Sequence, residues 1–309
     1  MEQRYFSLNE YCKNKFHTKV YRLSLNGGCS CPNRDGHLSY GGCTFCSEGG
    51  SGDFASSYHT SIRKQIAEAK GRIQRKTNTN TFIAYFQAYT NTYAPLPHLR
   101  RIFTEALEEP EIVALSIGTR CDCLSDEVLE LLEELSHIKP IWIELGLQTI
   151  HLSTHEKLNT HTTVEIFDNA VFRLQKRHLP VIAHVILGLP NETQEMMRDT
   201  ILHLSSLPIF GVKLQLLHVL KGTALATEYQ KEPFPLFTLE EYCEFVIDCL
   251  ELLPPDIVIH RLTGDGPRNI LIAPLWSTDK KRVLNTINKR LKERNTCQGA
   301  KFIPKNTNS

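Results

Sequence analysis

The sequence predicts an α/β fold built as a whole or partial β/α barrel, and three observations carry that prediction. Short apolar, β-branched runs recur along the 309 residues, a stretch with helical periodicity follows each of them, and polar or glycine-rich segments fall just after the runs. The runs are nearly continuous in apolar residues, as expected of parallel strands covered on both faces.

Strands are expected at residues 21–25, 81–86, 112–117, 141–147, 181–187, 211–219 and 257–262. Between them, residues 126–136 place Val128, Leu131, Leu132 and Leu135 on one helical face with acids in the first turn. Residues 163–177 and 192–204 read in the same way. No GxGxxG or GxxxxGK[ST] follows any strand, which excludes the commonest nucleotide-binding sheets. Instead Ser116-Ile117-Gly118-Thr119-Arg120 and Leu187-Gly188-Leu189-Pro190 sit at strand ends, so chemistry is expected on the C-terminal rim of the barrel. After Leu220 the alternation weakens. Lys231-Glu232-Pro233-Phe234-Pro235 reads as a turn, Thr238 with Glu241 starts a capped helix, and Pro254-Pro255 stops it. Residues 1–220 are therefore read as the barrel core and 221–309 as a C-terminal α/β extension that completes or flanks it, with a loosely ordered tail beyond Lys301.

Composition narrows the function classes. With 41% hydrophobic and 22% charged residues the chain can bury a full core. It contains no apolar run of membrane-spanning length and starts without the apolar stretch of a signal peptide, so a cytosolic address and no membrane partner are expected. The ten cysteines are then expected to be reduced and to serve metal or redox chemistry. The net charge of +1 announces no global nucleic-acid field, but residues 279–309 hold nine Lys or Arg against two acids, and residues 63–76 hold six against Glu68. Each stretch is either a solvated helix face or an RNA-facing patch.

The informative segment is NGGCSCPNRDGHLSYGGCTFCSEGGSGDF, residues 26–54, in which Cys29, Cys31, Cys43 and Cys46 sit among glycines directly after the first strand. Thiolates bind soft metals, C-x2-C brings two sulfurs to one metal or cluster, and glycines let the backbone pass close by. A closed zinc site would use all four sulfurs, whereas a catalytic 4Fe-4S cluster needs three if one iron is to stay open. The C-x-C spacing of Cys29 and Cys31 suits a single zinc ion poorly, and both readings stay open on spacing alone.

Cys31-Pro32-Asn33-Arg34-Asp35-Gly36 followed by Gly41-Gly42-Cys43-Thr44-Phe45-Cys46 resembles the YhcC/YtqA family of radical S-adenosylmethionine (SAM) proteins, itself similar to the radical SAM portion of the Elongator catalytic subunit. Further matching segments begin at Tyr85, Gly118, Glu144, Leu187 and Leu271, so the resemblance spans nearly the whole chain. It implies a radical SAM-type barrel in which Cys31, Cys43 and Cys46, spaced C-x11-C-x2-C, ligate a 4Fe-4S cluster, with Cys29 outside the motif. It further implies that S-adenosylmethionine binds the open iron and is cleaved to a 5'-deoxyadenosyl radical, with the protein supplying position and electrostatics.

By the same resemblance, Gln87, Thr119, Arg120, Glu144, Gly146, Gln148, Gly188, Leu189 and Pro190 are candidate cofactor-binding residues, although the usual Gly-Gly-Glu is absent at Gln87. Glu144, Gln148, His218, Lys221 and His260 are candidate catalytic residues, the last next to Arg261 and ahead of the turn that contains Asp265. Cys121 and Cys123 form a second C-x-C, read as packing, while Asp122 matches the related Arg-x-Asp motif. The implied substrate is tRNA: conversion of 5-carboxymethylaminomethyl(2-thio)uridine at the wobble position to its 5-aminomethyl form, with an electron donor such as flavodoxin or ferredoxin. A small-metabolite or protein substrate, and a non-catalytic zinc-stabilised RNA-binding module, are the alternatives.

Overall fold

The computed structural model describes residues 3–304 except 51, 53–54, 56–59, 76 and 265. The expectations that touch Lys76, Asp265 and the end of the tail lie outside the described residues. The elements are α1 (Leu8–Phe16), β1 (Tyr21–Leu25), α2 (Ile62–Gln74), β2 (Phe82–Phe86), α3 (Leu96–Leu107), β3 (Ile112–Thr119), α4 (Asp126–Ser136), β4 (Ile141–Gln148), α5 (Leu152–Lys157), α6 (Val164–Lys176), β5 (Val181–Leu187), α7 (Gln194–Leu204) and β6 (Gly211–Leu216). They continue as β7 (Val219–Leu220), α8 (Ala224–Lys231), α9 (Leu239–Leu252), β8 (Val258–Arg261), β9 (Leu271–Ala273), a 3-10 turn at Leu275–Thr278 and α10 (Lys280–Glu293).

Seven strands form one parallel sheet in the order β1-β2-β3-β4-β5-β6-β8. The sheet curls far enough for side chains of its two edge strands to meet inside it, Arg22 Nη2 lying 2.6 Å from His260 Nδ1. The fold is thus the curled, partial β/α barrel expected from the alternation of strands and helices. Outward-facing residues of the strands pack under the helices, for example Phe86 edge-on against Phe103, and Phe82 and Leu145 with Phe167 and Val171 in the same continuous core. The helices begin where side-chain oxygens can take up free backbone N–H groups: Ser125, Thr163, Thr193 and Thr238 all serve as N-caps, Thr238 in a full capping box with Glu241.

The interior is layered by strand level, because alternate residues of each strand face inward. At the bottom, α1 plugs the barrel: Cys12 packs on Ile83, Ala114, Trp142 and Ile182, with Tyr11 edge-on to Trp142 at 5.9 Å. One level up the residues become polar or charged, and above them glycines and glutamines open into a cavity.

The expected strand 211–219 divides. Leu216 and Leu217 are both buried, which breaks strict alternation, and Leu217 turns into a separate cluster with Leu158, Ile186, Leu189 and Leu225. The chain then pairs Val219 antiparallel with Ala273 of β9, a strand the periodicity did not reveal because it is three residues long. In the basic C-terminal stretch, Arg290 and Arg294 of α10 turn towards α9 and pair with Glu244, Asp248 and Glu251, so part of that charge holds two helices together. Arg63 of α2 likewise pairs with Glu108 and Glu109, and Lys70 with Glu111. Among the described residues no helix is long and apolar enough to cross a membrane.

Candidate active site

The loop after β1 is built to hold cysteines at the barrel mouth. Following Cys31, the backbone N–H groups of Arg34 and Asp35 donate to the Cys31 carbonyl, and Leu38 N–H donates to Pro32. Gly42 takes φ +83°, and a Cβ there would lie 2.8 Å from Arg34 Nε, so the turn into Cys43 needs glycine. Thr44 is pinned from both sides, its N–H donating to Leu158 and its carbonyl accepting from Leu225 N–H. Asn159 Nδ2 donates to the Gly42 carbonyl at 3.0 Å, and Asn33 Nδ2 reaches Cys43 Sγ at 3.4 Å. Arg34 donates to the Cys46 and Ser47 carbonyls at 3.1 and 2.6 Å.

Cys31, Cys43 and Cys46 line one cavity of about 280 Å³ together with Gln87, Thr119, Arg120, Glu144, Gly146, Gln148 and His218. Cys29 is buried instead among apolar side chains such as Ile102, and burial pushes its thiol up to about 12. Burial, reinforced by Cys46, also pushes Cys43 up to about 12, against the pull of Arg120 and the Asn33 amide. Arg120 is itself oriented by both oxygens of Asp122 and by the Thr160 carbonyl at 2.8 Å. Cys121 is buried against Thr162, 3.0 Å away. Among the described residues no group of three or more His, Cys, Asp or Glu side chains converges closely enough for a single metal ion; an iron-sulfur cluster spreads its ligand sulfurs over separate irons.

The strand ends opposite the cysteines keep space open. A Cβ on Gly146 would lie 2.6 Å from Gln148 Nε2, and one on Gly118 would lie 3.2 Å from the Phe86 carbonyl. Gln148 takes φ +68°, and its buried Oε1 has no hydrogen-bond partner among the described residues. Such an orphaned acceptor at a glycine-cleared wall suits a bound polar molecule.

Below this level Glu144, fully buried, accepts from Ser116 Oγ at 2.5 Å, from His184 Nε2 at 2.7 Å and from Lys213 Nζ, with Arg22 Nη2 3.9 Å away. Burial opposes its ionisation, but Lys213, Arg22 and His184 together hold the carboxyl well below its ordinary range. Burial and the Lys213 charge press His184 down to about 4, so the neutral ring donates its Nε2–H. Lys213 also lies over the Tyr85 ring, 4.3 Å from its centroid, and donates to Tyr85 Oη at 3.2 Å.

The remaining residues expected at the site lie elsewhere. His260 is in the barrel interior but below the cavity, packed edge-on against Trp142 and Phe210. Lys221 is exposed beyond the cavity wall. Gly188, at φ +87° beneath Phe237, Leu189 in its apolar cluster and Pro190 are outside the cavity lining. Sequence reasoning passed over Arg22, Tyr85, Ser116, His184 and Lys213. Their signal was a polar or charged side chain inside an apolar strand, as in Gly-Val-Lys-Leu-Gln-Leu, at a level where a barrel interior would bury it.

Residues 31–204 match the Radical SAM superfamily, and residues 209–293 match the radical SAM C-terminal domain. The chain belongs to the radical SAM superfamily. Enzymes of this superfamily use a 4Fe-4S cluster and S-adenosylmethionine, and the cysteine-lined cavity with its orphaned Gln148 acceptor fits both. The chain is 42% identical over 301 residues to YtqA of Bacillus subtilis (strain 168), covering 97% of this chain and 94% of that one. That match bears out the family resemblance carried by the cysteine segment. A tRNA uridine(34) acetyltransferase of Methanocaldococcus jannaschii is 26% identical over 53% of this chain, which spans 30% of that protein. The archaeal Elp3 of Methanocaldococcus infernus superposes with TM-score 0.69 at 16% identity, over 90% of this chain and 64% of its own, and so shares the fold.

Proposed function

We propose that Cys31, Cys43 and Cys46 ligate the cluster, and that this radical SAM enzyme acts on tRNA, at the carbon-5 side chain of the wobble uridine. The reaction is conversion of 5-carboxymethylaminomethyl(2-thio)uridine to 5-aminomethyl(2-thio)uridine, with electrons from a donor such as flavodoxin or ferredoxin. The observation that carries the reading is the single cavity that has the three cysteines on one wall and glycine-cleared, polar strand ends on the other. When bound there, cluster and S-adenosylmethionine supply the one-electron chemistry that ends in removal of a hydrogen atom from substrate. Gly118 and Gly146 leave room for the cofactor, Gln148 Oε1 offers it an acceptor, and Asn33 donates to Cys43. The apolar plug under the charged layer closes the barrel to water from below.

Two supports favour tRNA. One relative is named as a tRNA uridine(34) acetyltransferase, and α10 carries Lys281, Arg282 and Lys289 along one surface, suited to phosphates. The test is nucleoside analysis by mass spectrometry after anaerobic incubation of the cluster-loaded enzyme with reductant, S-adenosylmethionine and tRNA containing 5-carboxymethylaminomethyluridine. Loss of that nucleoside with matching gain of 5-aminomethyluridine is expected; unchanged tRNA under conditions that cleave S-adenosylmethionine refutes the substrate.

A further inference from the structure

Asn33 lies two residues after Cys31 and reaches across the loop to Cys43. Its side chain is fully buried, and its Nδ2 donates both to the Asn159 carbonyl at 2.6 Å and to Cys43 Sγ at 3.4 Å. These two partners fix the orientation of the amide, because turning it over would set Oδ1 against a carbonyl and a sulfur, both acceptors. In the orientation that remains, Oδ1 is buried with no hydrogen-bond partner among the described residues. A buried acceptor left unpaired costs stability, so the nitrogen is aimed at the sulfur against a local cost.

The surroundings give this donor its weight. Arg120, the cation that acts on Cys43, is paired through two nitrogens with both oxygens of Asp122, which offsets its charge. Adding an electron to a thiolate-ligated iron-sulfur cluster increases the negative charge on its sulfurs, and hydrogen bonds to those sulfurs tune its potential by favouring the reduced form. Out of water such a bond counts for more. The loop is also braced without touching a cysteine sulfur, since Asn159 Nδ2 donates to the Gly42 carbonyl at 3.0 Å and to Ser39 Oγ at 3.3 Å. Holding the loop and donating to the sulfur are therefore separable by mutation.

We propose that Asn33 is a positioning residue that acts through Cys43 to raise the reduction potential of the cluster, bringing it within reach of the electron donor. This rests on the proposed ligation by Cys31, Cys43 and Cys46 and on nothing about the substrate.

The test is an EPR-monitored redox titration of protein reconstituted anaerobically with iron and sulfide, comparing wild type, Asn33→Leu and Asn159→Gly, with Asn33→Val as a smaller apolar variant. Asn159 takes φ +53°, which glycine adopts freely, so Asn159→Gly removes the brace and leaves the Asn33 donor in place. At the potential that half-reduces the wild type, about one-tenth of the cluster in the Asn33 variants is expected to be reduced, a shift of about 59 mV downward for a one-electron couple. Asn159→Gly should titrate with the wild type. Iron-loaded Asn33 variants that titrate with the wild type overturn the proposal. So does an equal shift in Asn159→Gly, which would make the brace responsible, and so does loss of the cluster from both Asn33 variants, which would make Asn33 an assembly residue.

A second readout needs no variant to fold. Wild type labelled with nitrogen-15 in its asparagine side-chain amides is expected to show a nitrogen coupling to the reduced cluster in pulsed EPR, and its absence overturns the contact. Iron retained by Cys43→Ala removes the ligation reading itself. Iron lost from Cys43→Ala with no shift in the Asn33 variants leaves the ligand set standing and overturns the tuning alone.

Discussion

Removing Lys213 isolates the carboxylate at the centre of the barrel, and the cost follows from burial. The Glu144 side chain is 0% exposed and that of Lys213 2%, so water cannot replace the lost ammonium. In Lys213→Met the carboxylate keeps Ser116 and His184 and has Arg22 at 3.9 Å, while Tyr85 Oη loses its donor. Breaking one partner of a buried pair typically costs about 3–5 kcal/mol. For a chain of 309 residues that is a fall in melting temperature of about 5–8 °C. The double variant Glu144→Gln/Lys213→Met removes both charges and keeps a polar partner for Ser116, so most of the loss should return. The assay is calorimetric melting of wild type, both single variants and the double, read as a thermodynamic cycle. A Lys213→Met protein within about 1 kcal/mol of wild type, or a double variant as unstable as the sum of the singles, refutes a buried, coupled pair.

Three further outcomes are expected. Cys43→Ala and Cys46→Ala should lose iron after reconstitution, measured by iron and sulfide analysis, whereas Cys29→Ala, whose thiol points into the apolar core, should retain it. The pH dependence of stability has a defined sign: His184 falls from 6.5 in the unfolded chain to about 4 in the fold. The unfolded state therefore takes up a proton first, so the contribution is complete above pH 6.5 and is lost as pH falls towards 4, amounting to about 3 kcal/mol. Melting temperatures across that interval check it, and a His184→Gln variant should show a shallower slope. Finally, Gly146→Ala places a methyl group 2.6 Å from Gln148 Nε2. The flexible amide can move aside, so stability should change by less than about 1 kcal/mol, while S-adenosylmethionine binding, followed by equilibrium dialysis, should weaken.

The barrel was legible because its strands are long apolar runs and its helices carry clear caps; Thr163, Thr193 and Thr238 stand at their helix starts. The shared cavity of Cys31, Cys43 and Cys46 was foreshadowed by their glycine-rich loop, but that loop also contains Cys29, and only the family resemblance set Cys29 apart; its burial in the apolar core is a tertiary contact. Lys213 and His184 were harder to see. A lone charged residue in a strand reads as an edge or an error until the curl of the sheet brings four strands around Glu144. His260 shows the converse: its place near the end of the expected strand 257–262 suggested the rim, but inward alternation drops it beside Trp142 at the bottom. The division between β6 and β7 depends on Leu217 packing outside the sheet, a tertiary contact that local periodicity does not encode.

The proposed cluster site places Cys31, Cys43 and Cys46 on the wall of one cavity, from which they would feed cofactor chemistry into it. Its most direct test is 5'-deoxyadenosine release, quantified by mass spectrometry, from protein reconstituted anaerobically with iron and sulfide, reduced with dithionite and given S-adenosylmethionine. The expected result is accumulation with the wild type and none with Cys43→Ala. Release that survives Cys43→Ala, or none from an iron-loaded wild type, would contradict it.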